Sequence, residues 1–378
     1  MSSTRRVYLD YNATAPIRPE AAAAVAEALG AVGNPSSVHG EGRAARARLE
    51  AARRAIAASV GAEARHLLFT SGGTEADHLA LAGPARERLL VSAIEHDAVL
   101  APATRLDPDV ERIPVTADGV IDLAALERSL DAADGVRVLV SVMLANNETG
   151  VIQPVAEVAR LAKARGALVH CDAVQAFGKI AIDIGALGVD LLSLSAHKIG
   201  GPQGVGALVL GGDLDLAPLQ VGGGQEFRRR AGTENLPGIA GFAAAAGAAQ
   251  GDLDRMARIA GIRDDLEARL RRLDPALPIF GETAERLPNT TAFALAGMPS
   301  ATQIMALDLD GIAVSAGAAC SSGKVQSSHV LEAMGVDPEL AASAIRVSFG
   351  WASEPGDAAR LAEAWGALRE RTGRRGAA

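Results

Sequence analysis

The sequence predicts an α/β protein: a large unit with a mainly parallel sheet and helices on both faces, followed by a smaller α+β unit. Three observations predict it. Short apolar runs alternate with helical patterns between residues 66 and 210, as in successive βαβ units. Those runs end in polar side chains, and ligands of open α/β sheets gather at the carboxyl ends of the strands. A scarce lysine, Lys198, stands just beyond one of these ends, ahead of two glycines.

The elements follow in order. Tyr8 to Asp10 reads as a short strand, Asn12 to Pro19 as a turn, and Glu20 to Leu29 as a helix. Gly33-Asn34-Pro35-Ser36-Ser37 is a loop by its turn residues, and a long helix runs from Gly42 to Val60. The strand His66 to Thr70 ends in Ser71-Gly72-Gly73-Thr74-Glu75 and passes into a helix ending near Leu81. Strand, glycine turn and helix together aim backbone N–H groups and the positive end of a helix dipole at an anion. A tight turn capped by Thr74 would give the same pattern.

Leu89 to Ile94 leads to Glu95-His96 and a helix; Val136 to Met143 leads to Asn146-Asn147-Glu148-Thr149-Gly150. After a helix from Val155 to Arg165, the strand Ala167 to His170 ends at Cys171-Asp172, with Gln175 just beyond. Val189 to Leu194 precedes Ser195, His197 and Lys198, and Val205 to Leu210 is a further strand. The loop from Gly222 to Asn235 (GGGQEFRRRAGTEN) has the length and composition of a functional segment. Helices at Gly238 to Gln250 and Leu253 to Leu273 flank a domain change near residue 251. Beyond it lie strands at Thr290 to Leu295, Ile312 to Ser315 and Ile345 to Phe349, and helices at Ala301 to Leu309 and Asp357 to Arg371. The expected division is a large domain over 16–250 and a small α+β domain formed by 1–15 and 251–378.

Composition narrows the function. A chain of 378 residues with 49% apolar content supports a sizeable core, and 3% aromatics leaves the packing to alanine and small aliphatics. A net charge of −8 argues against non-specific nucleic-acid binding. No apolar run reaches the roughly eighteen residues of a membrane span. The segment MSSTRRVYLDYNATAP has no apolar signal stretch, so a cytoplasmic protein is expected. Two cysteines, Cys171 and Cys320, make no disulfide framework and no zinc motif. His170 and Asp172 share a strand face but lack a third ligand, so no metal site is expected.

The chemistry turns on the lysines. Only four exist, at 163, 179, 198 and 324, and the other basic residues are arginines, which cannot form a Schiff base. Lys163 lies in a solvated helical pattern, Lys179 beside an apolar turn, and Lys324 in a Ser/Gly loop. Only Lys198 follows a buried strand and precedes glycines that allow a cofactor close to the backbone. A Schiff-base lysine, a phosphate cup and a carboxylate are what pyridoxal 5'-phosphate requires, because its ring nitrogen must stay protonated to act as an electron sink. Asp172 is the candidate partner of that nitrogen, although a turn residue would look the same. His96 is either a capping residue or an aromatic plate over the ring. Gln175 either bonds the ring oxygen or sits in a turn.

The ordered motifs YLDYNATAP, GNPSSVHG, FTSGGTEAD, IEHDAVL, NNETGVIQP, HCDAVQ, SAHKIGGPQGVGAL, AGTENLPG, SAGAACSSGKVQSSHVL and IRVSFG span essentially the whole chain. With them the sequence resembles the cysteine desulfurases of the class V aminotransferase group, NifS/IscS-like fold-type I enzymes dependent on pyridoxal phosphate. The resemblance implies that Lys198 holds the cofactor and moves the Cα proton. Gly73, Thr74, Ser195 and His197 would bind the phosphate, joined by Thr233 from the second subunit of a homodimer. Asp172 would pair with the pyridinium, Gln175 would contact the ring oxygen, and His96 would stack on the ring and shuttle protons. Asn34, Asn147 and Arg346 would orient the substrate, with Arg346 forking onto its carboxylate.

Cys320 would be the nucleophile. Its loop from Ser315 to Ser328 is small and polar, which suits a thiol that enters the site, takes sulfur and leaves, and only the thiolate attacks. Cys171, at the end of a core strand, reads as packing. The implied reaction converts L-cysteine to L-alanine and leaves sulfur as a persulfide on Cys320 for an acceptor, in relatives an iron–sulfur scaffold or a thiolation protein. A selenocysteine lyase or another class V aminotransferase is the alternative; a transaminase has no need of Cys320.

Overall fold

The structure, a computed structural model, describes residues 6–317 and 328–376. Its centre is a seven-stranded sheet in the order β2-β8-β7-β6-β5-β3-β4. Here β2 is Leu67–Thr70, β3 Arg88–Ser92, β4 Glu111–Ile113, β5 Val138–Ser141, β6 Leu168–Asp172, β7 Leu191–Ser195 and β8 Gly206–Leu210, while β1 is Val7–Tyr8. The strands β7, β6, β5, β3 and β4 run parallel; β8 lies antiparallel between β2 and β7. The reason is chain length. A parallel crossover needs about a dozen residues or more, and the turn from Ser195 to Gly206 is shorter than that.

The strands are apolar on both faces because helices cover both. Successive residues alternate between two cores: Leu67, Leu90, Val140, Val169 and Leu192 face one, and Leu68, Leu89, Leu139 and Leu191 the other. The first core takes Leu49 and Ile56 from the helix Gly40–Ala58, Val158 from Val155–Lys163, and Phe242 from Leu236–Gly251. The second takes Leu79 from the helix Gly73–Ala82 and Val99 from Asp97–Leu106. With so few aromatic rings, alanines such as Ala45, Ala52, Ala245 and Ala249 fill much of the first core.

A third core unites the C-terminal region with the first residues of the chain. The strand β1 pairs in parallel with β10 (Ile312–Ala313), and an antiparallel sheet runs β11-β12-β9, with β9 at Thr290–Ala294, β11 at Ser315–Ala316 and β12 at Ala344–Ser348. The helices Arg255–Leu273 and Pro355–Gly376 cover it, and Trp365 meets Phe293 edge to face at 5.9 Å. The single strand expected from Ile312 to Ser315 is therefore two, in two sheets, with Val314 between them. The expected elements are otherwise present with ends shifted by a few residues. The short, two-thirds charged β4 and the helix Leu123–Ala132 add to them. Among the described residues no helix is long and apolar enough to cross a membrane.

Candidate active site

The carboxyl ends of the parallel strands open into a cavity of about 230 Å³, lined by Gly73, Thr74, Asp77, His96, Asn147, Asp172, Gln175, Ser195, His197 and Lys198 among others. One end is built for an anion. The chain leaves β2 through Gly72, whose φ of 156° and ψ of −178° suit only glycine, and enters the helix at Gly73 with the first-turn N–H groups ahead of the ladder. Thr74 does not cap this helix, since no side-chain cap is made. Ser195, at the end of β7, and His197 complete that end. His197 Nδ1 lies 3.2 Å from the Thr14 hydroxyl, and burial, then the Lys198 charge, lowers its pKa to about 4.

Lys198 sits in a turn of 3₁₀-helix directly after β7. Its Nζ donates to the main-chain oxygens of Asn12 (2.6 Å) and Ala13 (2.9 Å). Burial, then the Arg346 cation, lowers it to about 8, while Asp172 and Asp10 act the other way. An amine with that pKa is partly unprotonated near neutrality, as a nucleophile must be.

Asp172 ends β6 with Oδ1 accepting from Val174 N at 2.8 Å. Burial, then the neighbouring Asp77 carboxyl, raises it to about 7. A carboxyl so placed gains from a cation set against it. Behind it His170 is fully buried, its two nitrogens 2.8 Å from Ser141 Oγ and 2.9 Å from Ser193 Oγ, and burial holds its pKa near 4. With both nitrogens engaged by hydroxyls, His170 supports the sheet beneath Asp172. Cys171, between them, points into the core with its thiol pKa pushed well up by burial.

His96 is a capping residue, and its ring also borders the cavity. Its Nδ1 accepts from Ala98 N at 3.0 Å and caps the helix Asp97–Leu106, while the ring lines the cavity. With Nδ1 accepting, the neutral ring carries its proton on Nε2, and burial lowers its pKa further. Arg346, on β12, crosses from the C-terminal sheet. Its Nη2 donates to Asp10 (2.8 Å) and its Nη1 to Asn147 O (3.1 Å), and its buried Nε has no partner among the described residues.

Two expected participants lie elsewhere, and a third falls outside the described residues. Asn34 is exposed and outside the cavity, because its Oδ1 accepts from Ser36 N in the Asn-Pro-Ser turn. Thr233 is exposed and does not enter the cavity of its own chain. Cys320 lies outside the described residues. One residue read as a turn is the hub of the site: Asn12. Its main-chain oxygen accepts from Lys198 and Gln175, its Oδ1 from Lys179 and Asn289, and its Nδ2 donates to Thr290 and Asn147 O. The motif YNATAP marks a turn there; only the C-terminal sheet brings Asn289 and Thr290 to it.

The residues fit pyridoxal phosphate. An anion cradle, a buried carboxyl that gains from a cation, an amine of lowered pKa and an imidazole share one cavity. The sheet order and the placement of the cavity define a fold-type I transferase. The Aminotransferase class-V family model matches residues 7–361. A cysteine desulfurase of Cereibacter sphaeroides is 45% identical over 95% of this chain and 94% of that protein, and the desulfurase IscS of Dictyoglomus turgidum is 40% identical over 92% and 90%. A NifS-like protein of Rickettsia africae superimposes with a TM-score of 0.89 at 35% identity, over 97% of this chain and all of that one. The chain belongs to the Aminotransferase class-V family and, within it, to the cysteine desulfurases of the NifS and IscS kind.

Proposed function

We propose that this enzyme converts L-cysteine to L-alanine with pyridoxal 5'-phosphate and leaves the sulfur as a persulfide on Cys320 for an acceptor protein. The observation that carries the reading is the meeting in one cavity of the Lys198 amine, the Asp172 carboxyl and the cradle of Gly73, Thr74, Ser195 and His197. Lys198 would hold the coenzyme, Asp172 would face its ring nitrogen, His96 its ring face, Gln175 its ring oxygen, and the cradle its phosphate. The coenzyme supplies an electron sink for the pair left when a proton departs from Cα.

The remaining steps belong to the chain. Lys198, once free of its two carbonyl partners, takes the Cα proton. Arg346 binds the substrate carboxylate through the edge that carries its unpaired Nε, with Asn147 alongside. Cys320, as thiolate, attacks the substrate sulfur: an S–S bond forms, the Cβ–S bond breaks with its electron pair left on Cβ, the thiol proton of Cys320 ends on Cβ through His96, and Lys198 returns its proton to Cα. The sum is L-cysteine plus a thiol giving L-alanine plus a persulfide.

The same reading makes the protein a homodimer in which Thr233 reaches the partner's cradle. Its exposure away from its own cavity supports this. It also divides the chain at residues 16 and 251, in keeping with separate cores for the sheet and for the C-terminal region joined by Val7 and Leu9. The acceptor belongs to the class of iron–sulfur scaffolds or thiolation proteins.

The test is incubation of the coenzyme-loaded protein with L-cysteine, reading alanine and the mass of the Cys320 peptide together. Equal alanine and persulfide are expected, and Cys320→Ala should abolish sulfide release while keeping the coloured coenzyme. Undiminished sulfide from Cys320→Ala would refute the proposal. A preference for selenocysteine with negligible cysteine turnover would favour the lyase.

A further inference from the structure

Lys179 is a second buried amine, set behind the cavity wall on Asn12 and Gln175 and without a part in the proposed reaction. It follows Gln175 by one helical turn's spacing, in the segment after β6. Gly178 (φ 71°) packs there so closely on Ile199 and Ala249 that a Cβ would come within 2.8 Å of Ile199 Cγ2. The Lys179 side chain points inward and is 7% exposed. Its Nζ donates to Gln175 Oε1 and to Asn12 Oδ1, both at 2.9 Å. No carboxylate forms an ion pair with it among the described residues.

We propose that Lys179 is a positioning residue that turns the Gln175 amide so that an N–H, and not the oxygen, is offered to the cavity. An amide side chain has two orientations related by a flip, which exchange a donor for an acceptor. Here both ends select the same one. The oxygen receives the Lys179 amine, and Nε2 donates to Asn12 O at 2.9 Å. The flipped amide would take away the oxygen that accepts the Lys179 N–H and would set an oxygen against the Asn12 carbonyl oxygen, which cannot donate. The second N–H of Nε2 then remains for a ligand acceptor, which selects an oxygen of phenolate character over a hydroxyl that must donate. An unprotonated amine has two N–H groups, matching the two acceptors, and burial lowers the Lys179 pKa well below that of an ordinary lysine.

The inference rests on the coenzyme reading, and the experiment separates the two. Protein stripped of coenzyme is titrated with pyridoxal 5'-phosphate by absorbance, for the natural chain and for Lys179→Met, Gln175→Ala and the double variant. If the natural chain develops no coloured band, the coenzyme reading fails. If it does, Lys179→Met should raise the dissociation constant about three- to tenfold and move the band, as expected for loss of one hydrogen bond. In the Gln175→Ala background the same substitution should change it less than about twofold, because its effect passes through that amide. Lys179→Gln, which keeps an N–H donor group on a shorter side chain, should recover part of the loss, and it carries the comparison if Lys179→Met does not fold. An unchanged constant, or an equal change in both backgrounds, would overturn the inference.

Discussion

Asp77 stands fully buried on the wall of the cavity, with His170 Nε2 at 3.5 Å and the Ser193 hydroxyl bonded to it. Burial raises its pKa to about 7, so the folded protein keeps its proton over a range where the unfolded chain has lost it. Stability from this group is therefore lost as pH rises from the unfolded value near 4 through the folded one. Asp77→Asn removes the titration. Its stability relative to the natural chain should rise by about 2–3 kcal/mol between pH 5 and pH 7, from urea unfolding at both values; a flat difference would show Asp77 ionised in the fold. At this scale the sequence made Lys198, Asp172, His96 and Gln175 legible, because each stands at a strand end where ligands gather. It hid Lys179 and Asn12. Their neighbours in sequence are an apolar turn and an Asn-Ala-Thr turn, and their partners come from segments as distant as Asn289.

Among the elements, the turn from β2 into the helix Gly73–Ala82 depends most on one residue. Nothing lies within 4 Å of where a Cβ on Gly72 would sit, so the obstacle to a side chain there is the backbone conformation alone. Gly72→Ala should cost about 1–3 kcal/mol of stability and weaken coenzyme binding, measured by thermal melting with and without pyridoxal 5'-phosphate. Unchanged melting in both states would mean that the turn relaxes freely. The strand-turn-helix pattern announced this element, as apolar runs announced β3, β5, β6 and β7. Periodicity did not announce β4, whose sequence Glu-Arg-Ile is short and two-thirds charged at a sheet edge, nor the split of the expected strand at Val314, which its two pairing partners impose.

At the scale of the molecule, the C-terminal core carries Arg346 on β12 to Asp10 and to Asn147 O, beside the cavity. Trp365 fills that core, fully buried against Phe293. Trp365→Ala should cost about 3–5 kcal/mol. It leaves Trp351, whose Nε1 donates to Pro16 O and whose ring lies under Arg18, as the remaining tryptophan. Its fluorescence should then change at lower denaturant than the far-ultraviolet signal of the main sheet. Coincident transitions would show one cooperative unit.

By itself the sequence determined the α/β class and the side chains at the strand ends, because apolar periodicity and turn chemistry are local properties of the chain. It also determined the family, through motifs that keep their order from Tyr8 to Phe349. Tertiary structure alone decided which side chains touch. It placed Asn12 between Lys198, Gln175 and Lys179, held Arg346 on Asp10, and left Asn34 and Thr233 outside the chain's own cavity. Burial and the direction of a hydrogen bond depend on segments that meet only after the chain has closed, and no local pattern records them.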